Sequence, residues 1–182
     1  VEGSMSDGIM DLIKHDRQTP LMGLPLTSPK LTTLYLGLRK GSYYIESAGT
    51  GVGKSRRMAA ESCHLAYPCY YDERSGQWVD TGIAQKTLFI STELDLDEQQ
   101  RICLAYISGV EQIKIALNTC SKQEAERVDR AGEIMAQYKD NLYFVPMTNF
   151  TDEDVSATIE KYHQIYHVDY FFFDYLMSNE DM

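Results

Sequence analysis

The sequence lacks any apolar run long enough to cross a bilayer, although 43% of its 182 residues are hydrophobic. A transmembrane helix needs about 20 consecutive apolar residues, so we expect no contact with a membrane. The start of the chain also lacks the basic region and apolar stretch that are typical of a secretory signal peptide. Internal repeats and low-complexity tracts are absent as well. These absences predict a soluble globular protein.

Cysteine is scarce, and its spacing is not that of a disulfide framework. This pattern predicts a reducing, cytoplasmic setting. Cys63, His64 and Cys69 invite comparison with metal ligands, but no second Cys/His pair follows at the spacing of a zinc site. A buried, inert Cys63 on a helix is the favoured interpretation. The four cysteines are Cys63, Cys69, Cys103 and Cys120.

Basic residues are few: 17 Lys and Arg stand against 27 Asp and Glu, for a net charge of −10. This balance argues against a surface that coats nucleic acid by charge alone. It leaves open a nucleic-acid function in a ring or filament, where a few loops make the contacts. Those loops need not belong to this chain.

The first 27 residues differ in character from the rest. Ser6–His15 predicts a short amphipathic helix, because Ile9, Leu12 and Ile13 recur at helical spacing. Asp16–Thr27 contains two prolines and a glycine and is typical of a linker. We therefore predict a linker helix and linker over residues 1–27, followed by one α/β core over residues 28–182.

Strand and helix patterns alternate through the core, which predicts a parallel β-sheet flanked by helices. Between the first two core strands, the turn signal Asp72–Gly76 lies among Tyr70, Tyr71, Trp78 and Val79, which predicts an inserted β-hairpin over Pro68–Ile83. Its aromatic side chains either pair across the hairpin or contact a partner or base. The predicted strands are Ser42–Ser47, Gln85–Ser91, Leu142–Pro146 and Val168–Asp174, and the predicted helices are Ser28–Gly37, Lys54–Ala66, Asp95–Ser108, Ser121–Lys139 and Thr151–Tyr166.

A glycine-rich loop between the first core strand and the following helix predicts a phosphate-binding P-loop. Glycines let backbone N–H groups turn toward phosphate oxygens, and the helix start adds a favourable dipole. Lys54 is expected to bridge the β- and γ-phosphates and Ser55 to ligate Mg²⁺. Arg56 and Arg57 either lie near phosphate or belong to a solvated helix face. The predicted nucleotide-binding residues are Ala48, Gly49, Thr50, Gly51, Val52, Gly53, Lys54 and Ser55.

Two acidic residues follow predicted strands. The apolar run Tyr170–Phe173 ends at Asp174, which predicts a second ligand of the Mg²⁺ site. Glu93 comes just after the strand Gln85–Ser91, where a carboxylate can orient or deprotonate the attacking water. An acid after a strand is common, so chemistry alone leaves the role of Glu93 open.

The order and the sequences of these motifs resemble those of the C-terminal ATPase domain of replicative DnaB-like DNA helicases, within the RecA superfamily. The family tolerates alanine at the first P-loop position, as at Ala48. Ser91–Leu94 resembles the family's strand-end segment with the catalytic glutamate, which carries over to Glu93. Asp174–Leu176 resembles the family's Asp-Tyr-Leu, which gives Asp174 as the magnesium-site acid. The resemblance covers most of the chain, up to this Walker B strand.

The resemblance implies a RecA-like P-loop NTPase core that binds ATP and Mg²⁺, with Glu93 and Lys54 as catalytic residues. It implies translocation on single-stranded DNA and duplex unwinding during replication. DNA loops and the arginine finger are expected beyond this chain, and self-association is expected to give a hexameric ring, with the linker helix packed on a neighbouring subunit. A RecA- or RadA-like recombination ATPase and a non-catalytic nucleotide switch of the loader type remain alternatives.

Overall fold

The computed structural model describes residues 3–18, 22–47, 49 and 51–174. The chain divides into two compact units, Val1–Tyr43 and Tyr44–Met182. Five residues that carry part of the sequence argument lie outside the described residues: Pro20, Ala48, Thr50, Tyr175 and Leu176.

The first unit begins with helix α1, Ile9–Gln18, which has no buried residue. It starts and ends three residues later than the predicted Ser6–His15, because residues 5–8 form a turn instead of helix. In that turn the carboxylate of Asp7 accepts a hydrogen bond from the Ser4 amide at 2.9 Å. The amphipathic helix itself is confirmed, and its apolar side chains remain exposed.

Helix α2, Pro29–Tyr35, carries proline in its first turn, as predicted. It ends in left-handed backbone at Leu36 and Gly37. A Cβ at Gly37 would lie 2.6 Å from the carbonyl oxygen of Leu24, so this close approach requires glycine. The approach allows an antiparallel bridge between Leu24 and Leu38.

The second unit is a mixed α/β structure that contains a two-stranded antiparallel hairpin, β1–β2, and a three-stranded parallel sheet in the order β4-β3-β5. The hairpin confirms the predicted insertion, and the parallel sheet confirms the α/β class. In chain order the elements are α3 (Lys54–Ala66), β1 (Cys69–Asp72), β2 (Gln77–Asp80), β3 (Thr87–Ser91), α4 (Leu96–Ser108), α5 (Gln112–Ala116), α6 (Lys122–Gln137), β4 (Leu142–Pro146), α7 (Asp152–Tyr166) and β5 (Tyr170–Asp174).

Helices cover both faces of the parallel sheet, and every residue of the central strand β3 is therefore buried. On one face the ring of Phe89 stacks between Phe144 and Phe172, with centroids 6.3 Å apart on each side. Ala59 of α3 and Ile102 of α4 pack on this aromatic row. The opposite face buries Leu88 and Ile90 against residues of α7. The near-continuous apolar strands of the sequence follow from this two-sided burial.

A third apolar cluster joins α3, α4 and α6 and includes Cys63 and Cys103. The two Sγ atoms lie 2.6 Å apart, and both cysteines are free thiols. Burial is the largest cause that raises the pKa of the Cys63 thiol well above its usual value. The predicted buried Cys63 is therefore confirmed.

Residues 3–18, 22–47, 49 and 51–174 contain no group of three or more His, Cys, Asp or Glu side chains placed to hold a metal.

One sequence prediction fails, and one helix was not predicted. The strand predicted at Ser42–Ser47 is wrong: these residues are irregular and pair with no strand of the described chain. Tyr43 is 99% exposed and Ile45 is 84% exposed, so the apolar pattern there reports no burial. Helix α5 was missed, because five residues without a side-chain cap leave little periodic signal.

No helix within the described ranges has the length and apolar character that crossing a bilayer requires.

Candidate active site

The described part of the glycine-rich loop adopts backbone that only glycine takes up easily. Gly51 has φ +79° and Gly53 has φ +88°, both in the left-handed region. A Cβ added at Gly49, Gly51 or Gly53 would meet no atom within 4 Å. Backbone conformation, and not crowding within the protein, therefore explains these glycines. The loop leaves open space beside it, as a phosphate cradle requires.

The loop leads directly into α3, whose first two residues are Lys54 and Ser55. No side chain caps the start of this helix. By contrast, α4, α6 and α7 each have a side chain that accepts an N–H from the first turn, contributed by Asp95, Ser121 and Thr151. The first turn of α3 thus presents backbone N–H groups and the positive end of the helix dipole beside the glycine loop.

Hydrogen bonds at its far end fix the direction of α3 relative to the sheet. The carbonyl of Leu65 accepts the Gln85 amide at 2.7 Å, and the carbonyl of Ala66 accepts the Asn141 side chain at 3.0 Å. Gln85 and Asn141 precede β3 and β4, so the C-terminus of α3 lies at the edge where the strands begin. With a rise of about 1.5 Å per residue, the helix start lies toward the opposite edge, where the strands end.

Asp174 occupies that opposite edge as the last residue of β5, opposite Ser91 of β3. Its side chain is fully buried. Neither carboxylate oxygen has a hydrogen-bond partner among the described residues. Its backbone carbonyl accepts the amide of Thr92 at 2.8 Å. A buried carboxylate without a partner is costly, so Asp174 is a candidate ligand for a cation.

Glu93 lies two residues beyond β3 and is exposed. The hydroxyl of Ser91 accepts hydrogen bonds from the amides of Glu93 at 3.2 Å and Leu94 at 2.9 Å. This turn leads into α4, whose cap Asp95 accepts the Glu98 amide at 2.7 Å. The strand-end edge thus carries Glu93 after β3 and Asp174 in β5, and α3 runs toward it.

The two arginines after the loop have different surroundings. Arg57 forms an ion pair with Glu46, and its other terminal nitrogen lies 3.8 Å from the Glu61 carboxylate. Glu46 precedes the glycine loop, so Arg57 connects the segment before the loop to the helix after it. Arg56 is exposed. The Arg57–Glu46 contact was missed by sequence reasoning, because a separation of eleven residues across a loop gives no periodic signal.

The hairpin aromatics pair within the protein. Tyr71 and Trp78 face each other across β1 and β2 with centroids 5.8 Å apart, as the hairpin interpretation predicts. The guanidinium of Arg127 lies 4.2 Å from the Tyr71 ring centre, and that of Arg130 lies 4.3 Å from the Trp78 ring centre. These cation–π contacts hold the hairpin on α6. They were not predicted.

A comparison with models of known protein families finds no match for this chain. The chain is similar to the SPbeta prophage-derived uncharacterized protein YorI of Bacillus subtilis (strain 168), with 35% identity over 173 residues. The similarity covers 95% of this chain and 34% of that protein. The chain therefore spans about a third of the length of the curated relative it matches.

Proposed function

We propose that this chain is a RecA-like P-loop ATPase core that binds ATP with Mg²⁺ and hydrolyses it. The observation that carries the proposal is the buried, unpartnered carboxylate of Asp174 at the edge of the sheet toward which α3 runs. A glycine loop with an uncapped helix start supplies the phosphate site. These features suit an anion and a cation bound side by side.

The residues present fit Mg²⁺–ATP. Magnesium in nucleotide sites usually takes one or two protein ligands together with phosphate oxygens and water. Asp174 and the Ser55 hydroxyl would be those ligands. Lys54 would neutralise the β- and γ-phosphates, and the loop amides would donate hydrogen bonds to their oxygens. Bound magnesium would neutralise charge that develops on the phosphates.

Glu93 would orient the attacking water and accept its proton. An exposed carboxylate at the strand-end edge meets the first requirement of that role, which is access to solvent beside the phosphates. A protein that uses nucleotide only as an assembly switch has no need of such an acid. Glu93 therefore favours hydrolysis over the switch alternative.

We further propose that the whole protein is a DnaB-like replicative helicase, which couples hydrolysis to movement along single-stranded DNA. The support is the resemblance of the loop, the Ser91–Leu94 segment and the Asp174 strand to that family. The contacts to single-stranded DNA and the arginine finger would be contributed by regions other than this chain. Ring assembly would use α1, whose apolar side chains are exposed, since an isolated short helix is unstable unless one face is buried.

Single-turnover hydrolysis of ATP, measured with and without single-stranded DNA, tests the proposal. We expect the wild-type chain to bind ATP but hydrolyse it slowly, because the arginine finger is expected outside this chain. Glu93→Gln should bind ATP and lose most of that hydrolysis, because the amide cannot accept a proton. Stimulation of ATP hydrolysis by single-stranded DNA in the whole protein supports the helicase. ATP binding without hydrolysis by the whole protein supports the nucleotide switch. Turnover of Glu93→Gln within a few-fold of wild type contradicts the assigned role of Glu93.

A further inference from the structure

The end of strand β3 connects the two acidic residues of the candidate site. Ser91 is the last residue of this strand and is 1% exposed. Its hydroxyl oxygen accepts the amides of Glu93 and Leu94. The next residue, Thr92, donates its amide to the carbonyl of Asp174. A single turn anchored on the buried Ser91 therefore fixes the backbone of Glu93 relative to the strand that carries Asp174.

We propose that Ser91 is a positioning residue for ATP hydrolysis, which holds the turn that carries Glu93; this inference rests on the proposed function. The side chain of Glu93 is exposed and has no hydrogen bond or ion pair to any described residue. Its position is therefore set by its backbone. Of the contacts to that backbone, the one made by a side chain is the hydrogen bond from the Glu93 amide to Ser91.

Capping of the following helix does not account for the Ser91 hydroxyl. Helix α4 has its own cap, because the carboxylate of Asp95 accepts the Glu98 amide. The two amides bound by Ser91 belong to the turn before that cap. Loss of the hydroxyl would leave them without this acceptor and allow the turn to shift. A displacement of about 1 Å in a catalytic group can cost about 10²-fold in rate.

The test compares Ser91→Ala with Ser91→Thr, which keeps the hydroxyl, in single-turnover hydrolysis and in titration with Mg²⁺–ATP. We expect Ser91→Ala to lower the hydrolysis rate constant by about 10- to 100-fold with unchanged ATP affinity, and Ser91→Thr to restore most of the rate. If Ser91→Ala does not fold, Ser91→Cys keeps the size but weakens the acceptor, and the same loss is expected.

A matched control comes from Ser108, which is also buried and whose hydroxyl accepts the Val110 amide at 3.2 Å. It lies at the last turn of α4, away from the strand-end edge. We expect Ser91→Ala and Ser108→Ala both to lower the melting temperature. Ser108→Ala should leave the hydrolysis rate constant unchanged. This control separates loss of stability from loss of positioning.

The double variant Ser91→Ala/Glu93→Gln shows whether Ser91 acts through Glu93. We expect it to hydrolyse ATP no more slowly than Glu93→Gln alone. A loss in Glu93→Gln together with wild-type hydrolysis in Ser91→Ala overturns the inference but leaves the proposed function standing. Losses that multiply in the double variant also overturn it. Wild-type hydrolysis no faster than that of Lys54→Ala rejects both the proposed function and the inference.

Discussion

Replacing Asp174 by asparagine has opposite expected effects on the stability of the free protein and on its response to ligand. The carboxylate is fully buried, and neither oxygen has a partner among the described residues. An unpaired buried charge costs several kcal/mol after relaxation. The amide keeps the shape, removes the charge and still leaves polar atoms unpaired. We therefore expect Asp174→Asn to stabilise the free protein by about 1–3 kcal/mol.

This gain should appear as a rise in melting temperature. For a chain of this size, 1 kcal/mol corresponds to about 2–4 °C, so the expected rise in the nucleotide-free variant is roughly 2–12 °C. Mg²⁺–ATP should raise the melting temperature of the wild type more than that of Asp174→Asn. A ligand at a thousand times its Kd stabilises by about 4 kcal/mol. The wild type should show this shift, and Asp174→Asn should lose most of it.

Differential scanning calorimetry with and without Mg²⁺–ATP measures both effects. Asp129→Asn on the exposed face of α6 is the control for removal of one carboxylate, and it should change neither value. A lower melting temperature for free Asp174→Asn, together with an unchanged response to Mg²⁺–ATP, would show that Asp174 is a structural acid and would refute the reasoning.

The remaining predictions concern histidine titration and assembly. Burial lowers the pKa of His64 below its usual value of 6.5, so its neutral form stabilises the protein above pH 6.5 and that contribution is lost as the pH falls below 6.5. His64→Gln should reduce this acid-side loss in urea unfolding at pH 5 and pH 7.5; identical pH dependence of His64→Gln and wild type contradicts the assignment. Removal of Ile9–Gln18 should lower the mass found by analytical ultracentrifugation, because its apolar face has no buried residue, and an unchanged mass argues against assembly through α1.

Cap chemistry and apolar runs explain why much of the second unit could be predicted. The capping boxes at Ser121 and Thr151 begin α6 and α7 as their sequences indicate. The short apolar runs of β4 and β5 are strands because both faces of their sheet are covered. Local sequence suffices where cap and pattern agree.

Contacts between distant residues account for what the sequence did not predict. The segment Ser42–Ser47 has strand composition, but a strand also requires a neighbour, and none of the described strands pairs with it. The partners of Arg57 and the cation–π contacts of Arg127 and Arg130 likewise depend on tertiary packing. In the candidate site, Asp174 and Glu93 were predicted from their strand ends, whereas the role proposed for Ser91 required the hydrogen bonds of the turn.

Binding of Mg²⁺–ATP, measured by isothermal titration calorimetry on the wild type and on Lys54→Ala, tests the central claim most directly. Lys139→Ala, at an exposed position beyond α6, is the matched control for loss of one lysine. Hydrogen bonds to charged groups contribute about 1.5–3 kcal/mol, so Lys54→Ala should weaken binding by at least about tenfold with an unchanged melting temperature. Absence of binding by the wild type, or equal affinity of Lys54→Ala and wild type, would contradict the assignment of the glycine loop as a nucleotide site.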